Sequence, residues 1–338
     1  MFLYRAIRTA NVTSGNLLRR YTSHLAKNLK LHEIPELPYQ EVAKLACQQF
    51  TAGRHHVPDP TLSPIVMLHG LFGSKQNFSS VAREITKQTN HQIFGLDLRN
   101  HGQSQHVSPY DYTTMARDVI AHIKEKAWDN VILVGHSMGA KVAMLVGLYE
   151  PTLVSKLVVI DNSPKSEKLS QNFVNDLVGM CQVEAQADEL ADKPPAIKSA
   201  RIETILSSYE PDHRVRFFLL TNIKRPRLER GTVKKNDQGR GSTKHHVREL
   251  IFRVPVLNFL KDEVLVEVGN WPAIDTVFDK PVLVMAAKHS EFIQEKDYLL
   301  FDRYFPQVEI ELFDCGHWIV SDEPEKFIKS TVQFIKRT

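Results

Sequence analysis

Short runs of apolar residues recur along the chain and alternate with segments whose apolar residues repeat at helical spacing. The runs are rich in Val, Ile and Leu, which predicts buried strands at residues 65–68, 93–96, 131–134, 157–160, 282–285 and 308–312. Helical patterns lie between them, at residues 78–85, 112–123, 140–146 and around Phe327, Ile328, Phe334 and Ile335. Strands that are apolar throughout and alternate with helices predict a mostly parallel central sheet with helices on both faces.

Residues 164–280 interrupt this alternation with a polar, helix-prone stretch that has few strand signals. We interpret it as an inserted, mainly helical cap between two parts of an α/β core, residues 60–163 and 281–338. Within the cap, residues 224–248 are dense in Lys and Arg. They could attract a polyanionic acyl carrier such as coenzyme A. A charge run alone is more typical of a solvent-exposed loop, so both interpretations stay open.

Composition excludes several classes of protein. The 338 residues are 42% hydrophobic and 24% charged, which is typical of a globular protein, and the formal charge of +4 is small for a nucleic-acid-binding protein. The three cysteines, Cys47, Cys181 and Cys315, are widely spaced, which favours neither a disulfide scaffold nor a zinc site. No apolar run reaches the roughly 18 residues of a membrane-spanning helix.

The first thirty residues differ from the rest of the chain. They are rich in Arg, Lys, Ser and Thr, and no acidic residue precedes Glu33. This composition is typical of a mitochondrial transit peptide, and we predict one at residues 1–21, with the mature chain beginning near Thr22. A basic tail without a targeting role is the alternative interpretation.

A candidate nucleophile lies at Ser137, within the sequence Gly-His-Ser-Met-Gly at residues 135–139. This Gly-x-Ser-x-Gly pattern follows a predicted strand and precedes a predicted helix, which is the setting of a sharp turn that exposes the serine. The glycines at both ends are expected because such a turn leaves little room for side chains. His317, after the last predicted strand, is the candidate general base that would take the proton of the hydroxyl.

Two carboxylates could orient this histidine. Asp161 ends the strand that follows the nucleophile helix, and Glu291 lies in the loop after the next strand. Both satisfy the order serine, acid, histidine, whereas Asp314 is too close to His317 in sequence. For the oxyanion formed during attack, the expected donors are the backbone N–H groups of Leu71 and Met138.

Five motifs together resemble one branch of a known superfamily. They are His-Gly-Leu-Phe-Gly-Ser-Lys at 69–75, Leu-Asp-Leu-Arg-Asn-His-Gly at 96–102, Gly-His-Ser-Met-Gly-Ala-Lys at 135–141, Asp-Asn-Ser-Pro at 161–164 and Gly-His-Trp at 316–318. The chain is similar to the α/β-hydrolase-domain-11 branch, which includes fungal mitochondrial ethanol acetyltransferases. This resemblance implies the α/β-hydrolase fold, a mitochondrial location and Asp161 rather than Glu291 as the acid. The basic stretch at 224–248 departs from the pattern of the branch.

The resemblance also implies a serine-bound acetyl group that is taken from acetyl-CoA and passed to ethanol or water. We therefore expect an alcohol O-acetyltransferase with esterase and thioesterase activity. The alternatives are a short-chain carboxylesterase or thioesterase without alcohol transfer, and a catalytically silent binding protein on the same fold. The expected partners are a small acyl ester or thioester and an alcohol or water, with no metal or cofactor. The sequence leaves the oligomeric state open.

Overall fold

A seven-stranded sheet forms the centre of the computed structural model, which describes residues 29, 31–191, 193–224 and 251–337. The strands are β1 (Ala46–Phe50), β2 (Ile65–Leu68), β3 (Ile93–Asp97), β4 (Val131–His136), β5 (Val154–Ile160), β6 (Val282–Ala287) and β7 (Val308–Phe313). Their order across the sheet is β1-β3-β2-β4-β5-β6-β7. All neighbours are parallel except β1 and β3. The predicted mostly parallel sheet is therefore confirmed.

Strand β1 was not predicted, and it lies before residue 60, where the predicted core begins. Its sequence is Ala-Cys-Gln-Gln-Phe, and only Phe50 at its end is buried. An edge strand pairs on one side only and is partly exposed, so the continuous apolar run that reveals a central strand is missing here.

The described α-helices alternate with the strands in the core and follow one another in the insertion. They are α1 (Ser79–Thr89), α2 (Tyr112–Glu125), α3 (Met138–Tyr149), α4 (Gln171–Ala185), α5 (Ala187–Ala191), α6 (Pro195–Ser207), α7 (His213–Leu220), α8 (Val256–Lys261), α9 (Val264–Glu267), α10 (Tyr298–Tyr304), α11 (Ile319–Asp322) and α12 (Pro324–Lys336). Helix α2 begins where its sequence supplies a cap, since the Asp111 carboxylate accepts a hydrogen bond from Thr114 N–H at 2.8 Å.

Both faces of the sheet are buried. In β2, Ile65 and Met67 belong to one apolar cluster, which includes residues of α1 and α12, whereas Val66 and Leu68 belong to the other, which includes residues of α2 and α3. Alternate residues of a strand point to opposite faces, so a strand covered on both sides must be apolar at every position. This is the physical reason why the central strands can be recognised in the sequence.

Helices α4 to α9 lie between β5 and β6, within the stretch interpreted as a cap. Their apolar residues join the same cluster as those of α2 and α3. The predicted targeting segment, residues 1–21, lies outside the described residues. The same is true of the basic segment 224–248 apart from Lys224.

Candidate active site

Ser137 lies on a sharp turn between β4 and α3. Its backbone has φ +55°, a conformation that is uncommon for a residue other than glycine. The two motif glycines are sterically required, because a Cβ on Gly135 would collide with the carbonyl oxygen of Gly139 and one on Gly139 with that of Leu68. The turn places Ser137 immediately before the first residue of α3, at the end of a central strand.

His317 and Asp161 are in direct contact. Nδ1 of His317 lies 2.7 Å from Oδ2 of Asp161, whose side chain is completely buried. The other carboxylate oxygen, Oδ1, accepts a hydrogen bond from Ala287 N–H at 3.0 Å. An ionised carboxylate accepts both bonds, so the hydrogen of the imidazole lies on Nδ1 and the lone pair on Nε2. This tautomer has the form that a general base requires.

Glu291, the other candidate acid, occupies a different position. Its side chain is exposed, and no hydrogen bond joins it to His317 in the part of the chain that the structure describes. Sequence order alone could not separate the two carboxylates. The structure brings Asp161 to the imidazole and leaves Glu291 at the surface.

Aromatic rings hold the imidazole of His317 in place. The ring of Phe292 stacks on it with a centroid distance of 4.2 Å, and the ring of His136 lies at 4.8 Å. Nε2 of His136 lies 2.9 Å from the carbonyl oxygen of His317, to which it can donate a hydrogen bond. Burial, with the neighbouring His317 as a second cause, lowers the pKa of His136 to about 4. His136 is therefore neutral near pH 7 and supports the His317 backbone.

One expected oxyanion donor, Met138, directly follows Ser137 in the chain, and the other, Leu71, directly follows Gly70, which lies beside Ser137. Met138 is the first residue of α3, so its N–H has no acceptor within the helix. Leu71 lies in a turn closed by a 3.0 Å hydrogen bond from Gly73 N–H to Gly70 O. Gly70 itself is close to Ser137, because a Cβ on it would come within 3.2 Å of the Ser137 Cβ.

Two buried histidines brace the turn that carries Leu71. Nε2 of His69 accepts from Leu98 N–H at 3.0 Å, and Nε2 of His101 accepts from Phe72 N–H at 3.1 Å. Burial lowers the pKa of both rings, that of His101 strongly, so both are neutral acceptors. The sequence analysis assigned no role to either residue, although His69 lies in the motif at 69–75 and His101 in the motif at 96–102.

A cavity of about 530 Å³ opens over Ser137 and His317. This volume is within the usual range of small-molecule sites. Its lining combines Leu71, which follows β2, with residues of the stretch between β5 and β6 such as Val215 and Phe218, and it is mostly apolar. A second cavity of about 750 Å³, lined in part by Glu291, also reaches His317. His317 therefore lines both cavities.

Among the described residues, no group of three or more His, Cys, Asp or Glu side chains is placed to hold a metal ion. No helix within the same residues is long and apolar enough to cross a membrane.

The sequence profile described as the α/β-hydrolase fold matches residues 63–324, so the chain belongs to the α/β-hydrolase family. An α/β-hydrolase-domain-containing protein of Schizosaccharomyces pombe is 33% identical, over 86% of this chain and 97% of that one. A protein of Danio rerio named sn-1-specific diacylglycerol lipase is 32% identical, over 81% of this chain and 78% of that one. Ethanol acetyltransferase 1 of Kluyveromyces marxianus is 31% identical, over 84% of this chain and 76% of that one. These relatives bear out the resemblance.

A solved structure agrees with the fold. An esterase of a marine microorganism superposes with a TM-score of 0.68 at 26% identity, covering 86% of this chain and 99% of that one. Both kinds of comparison support an α/β-hydrolase with a central parallel sheet and flanking helices.

Proposed function

We propose that this protein is a serine-dependent acyl-transfer enzyme in which Ser137 is the nucleophile, His317 the general base and Asp161 the acid that orients the base. The observation that supports it most strongly is the 2.7 Å contact between the buried Asp161 carboxylate and His317 Nδ1. That contact leaves Nε2 free to accept a proton, and Ser137 and His317 line the same cavity.

In the proposed reaction, the Ser137 hydroxyl oxygen attacks the carbonyl carbon of an acyl thioester or ester, and His317 Nε2 takes its proton. The negative charge on the carbonyl oxygen is stabilised by the N–H groups of Leu71 and Met138. The tetrahedral intermediate breaks the bond to the thiol or alcohol, which leaves with the proton from His317. An alcohol or water then attacks the acyl-serine, and the same groups return the proton to Ser137.

We propose acetyl-CoA as the acyl donor and ethanol as an acceptor, which gives ethyl acetate. The support is the relative named ethanol acetyltransferase 1, together with a mostly apolar cavity over Ser137. Alcoholysis and hydrolysis use the same residues, so thioester and ester hydrolysis are expected as well. How well the cap excludes water sets the proportion of the two products.

The test is product analysis with purified protein and acetyl-CoA, with and without ethanol. We expect free coenzyme A and acetate without ethanol, and ethyl acetate that rises with ethanol concentration. The matched control is Ser137→Ala, which should make neither product above the uncatalysed level. Only free acetate at high ethanol would exclude the transferase and leave the hydrolase.

A carboxylesterase or thioesterase without alcohol transfer is the second candidate. It is supported by the similar marine esterase and by the relative named as a lipase. Aryl esters of increasing chain length separate the candidates, since a preference for long acyl chains would favour this one. A catalytically silent protein is the third candidate, and failure of a fluorophosphonate to label Ser137 would favour it.

We also propose a mitochondrial location, which is supported by the basic, acid-free sequence before Glu33. The test compares the full chain with a chain lacking residues 1–21, each fused to a fluorescent protein at its C-terminus. Only the full chain should colocalise with a mitochondrial dye. Equal distribution of the two fusions would contradict the proposal.

A further inference from the structure

Phe72 has a strained backbone beside the reacting centre. It occupies the third position of the turn from Gly70 to Gly73, and its φ is +58°. That conformation is normally taken by glycine, so a bulky side chain there strains the backbone. The turn persists only because its surroundings hold it in place.

Two side chains hold the peptide groups on either side of Phe72. On the core side, Nε2 of His101 accepts from Phe72 N–H at 3.1 Å. On the cap side, Nδ2 of Asn222 donates to Phe72 O. Asn222 is only 1% exposed, so its amide is sheltered from competing water.

Asn222 is itself fixed within the cap. It follows α7, and its backbone N–H donates to Leu219 O at 3.1 Å. Its carbonyl oxygen accepts from Arg253 N–H at 2.8 Å. The side-chain amide is therefore held by backbone bonds to both parts of the cap that flank residues 225–250.

We propose that Asn222 is a positioning residue for the oxyanion donor Leu71, so that the cap takes part in catalysis through the turn at residues 70–73. Without the Asn222 bond, Phe72 can relax from its strained conformation, and the adjacent Leu71 N–H moves with the turn. Oxyanion donors must lie within about 2.7–3.1 Å of the developing charge, so a small displacement weakens them. This inference rests on the proposed function.

The test is Asn222→Ala, assayed with p-nitrophenyl acetate. Complete loss of one oxyanion donor costs about 10²–10³ in kcat, and we expect a roughly 10–100-fold loss here because the donor is displaced rather than removed. KM should change by less than about threefold, because the ground-state ester depends little on the oxyanion donors. Labelling of Ser137 by a fluorophosphonate should slow in parallel, since that reaction also develops negative charge on oxygen.

Asn258→Ala is the matched control. Asn258 is also a buried amide of the cap, 7% exposed, and its Nδ2 donates to the carbonyl oxygen of Pro35 at 2.8 Å rather than to the turn at residues 70–73. Both variants lose one buried hydrogen bond, so both should lower the thermal midpoint by a similar amount. Only Asn222→Ala should lower kcat and the labelling rate.

A second variant serves if Asn222→Ala does not fold. In Asn222→Asp the shape is kept, and the carboxyl can donate to Phe72 O only when it is protonated. Its kcat relative to the unmodified protein should therefore rise as pH falls, whereas Asn258→Asp should show no such trend.

The outcomes are distinguishable. If Asn222→Ala and Asn258→Ala have the same kcat, or if the Asn222→Asp ratio is independent of pH, the positioning role is wrong. If Ser137→Ala keeps full activity, the proposed function itself fails, and the inference fails with it.

Discussion

Replacing Asp161 by Asn would test how the imidazole of His317 is oriented. The carboxylate accepts two hydrogen bonds, one from His317 Nδ1 at 2.7 Å and one from Ala287 N–H at 3.0 Å. An amide side chain has one acceptor oxygen and one donor nitrogen. Asp161→Asn therefore cannot satisfy both donors, although the size of the side chain is almost unchanged.

Either orientation of the amide is unfavourable. If its oxygen faces Ala287 N–H, its nitrogen donates to His317 Nδ1, the hydrogen moves to Nε2, and the base can no longer accept the serine proton. If the oxygen faces His317, two N–H groups meet in a completely buried site, which costs about 1–3 kcal/mol. The wrong tautomer in an otherwise intact site lowers turnover by about 10⁴-fold, close to 5 kcal/mol in the barrier.

The assay is kcat/KM for p-nitrophenyl acetate across neutral pH, with folding checked by circular dichroism. The matched control is Glu291→Gln, the same chemical change at the exposed candidate acid, which should lower kcat/KM by less than about twofold. If Asp161→Asn retained more than a tenth of the activity, the orienting role of Asp161 would be refuted. A large loss in Glu291→Gln would move that role to the later loop.

Two further predictions concern buried carboxyl groups. Asp118→Asn removes the counter-charge of Arg99, whose guanidinium binds both carboxylate oxygens at 2.6 and 2.7 Å. The free energy of unfolding, measured in urea, should fall by about 3–5 kcal/mol, and a change below about 1 kcal/mol would contradict this prediction. Burial, and secondarily Glu210, raises the pKa of Asp176 to about 8, above its usual 3.8. Because the folded state then holds a proton that the unfolded chain has released, the stability contributed by Asp176 decreases as pH rises from about 4 to 8, by at most about 1.4 kcal/mol per pH unit. Asp176→Asn should gain stability over the unmodified protein across this range, and a pH-independent difference in urea unfolding would disprove it.

The predictable parts of the structure depend on local patterns. Central strands such as β2 and β4 are apolar at almost every position because both faces of the sheet are buried, and that pattern is visible in the sequence. The edge strand β1 escaped prediction because its partly exposed residues, two of them glutamines, carry no such pattern. For the stretch between β5 and β6, the sequence predicted a mainly helical character but no helix boundaries, since those boundaries depend on packing against the core.

The candidate site shows the same division. The turn around Ser137 was predictable because its two glycines are required by steric contacts. A side chain at either position would collide with backbone atoms of the turn itself or of the neighbouring strand. Asn222 was not, because nothing in its local sequence indicates that its amide meets Phe72 O, 150 positions away in the chain.

By itself, the sequence determined the alternation of strands and helices, the nucleophile turn and the candidate base, since periodicity and glycine sterics act over short distances. The tertiary structure decided which carboxylate contacts His317. Asp161 and Glu291 follow the neighbouring strands β5 and β6, so chain order places both near the same edge of the sheet. Only the three-dimensional path of the two loops buries Asp161 against the imidazole and leaves Glu291 exposed. The hydrogen bond from Asn222 to Phe72 O was likewise decided by packing, because it joins segments that are distant in sequence.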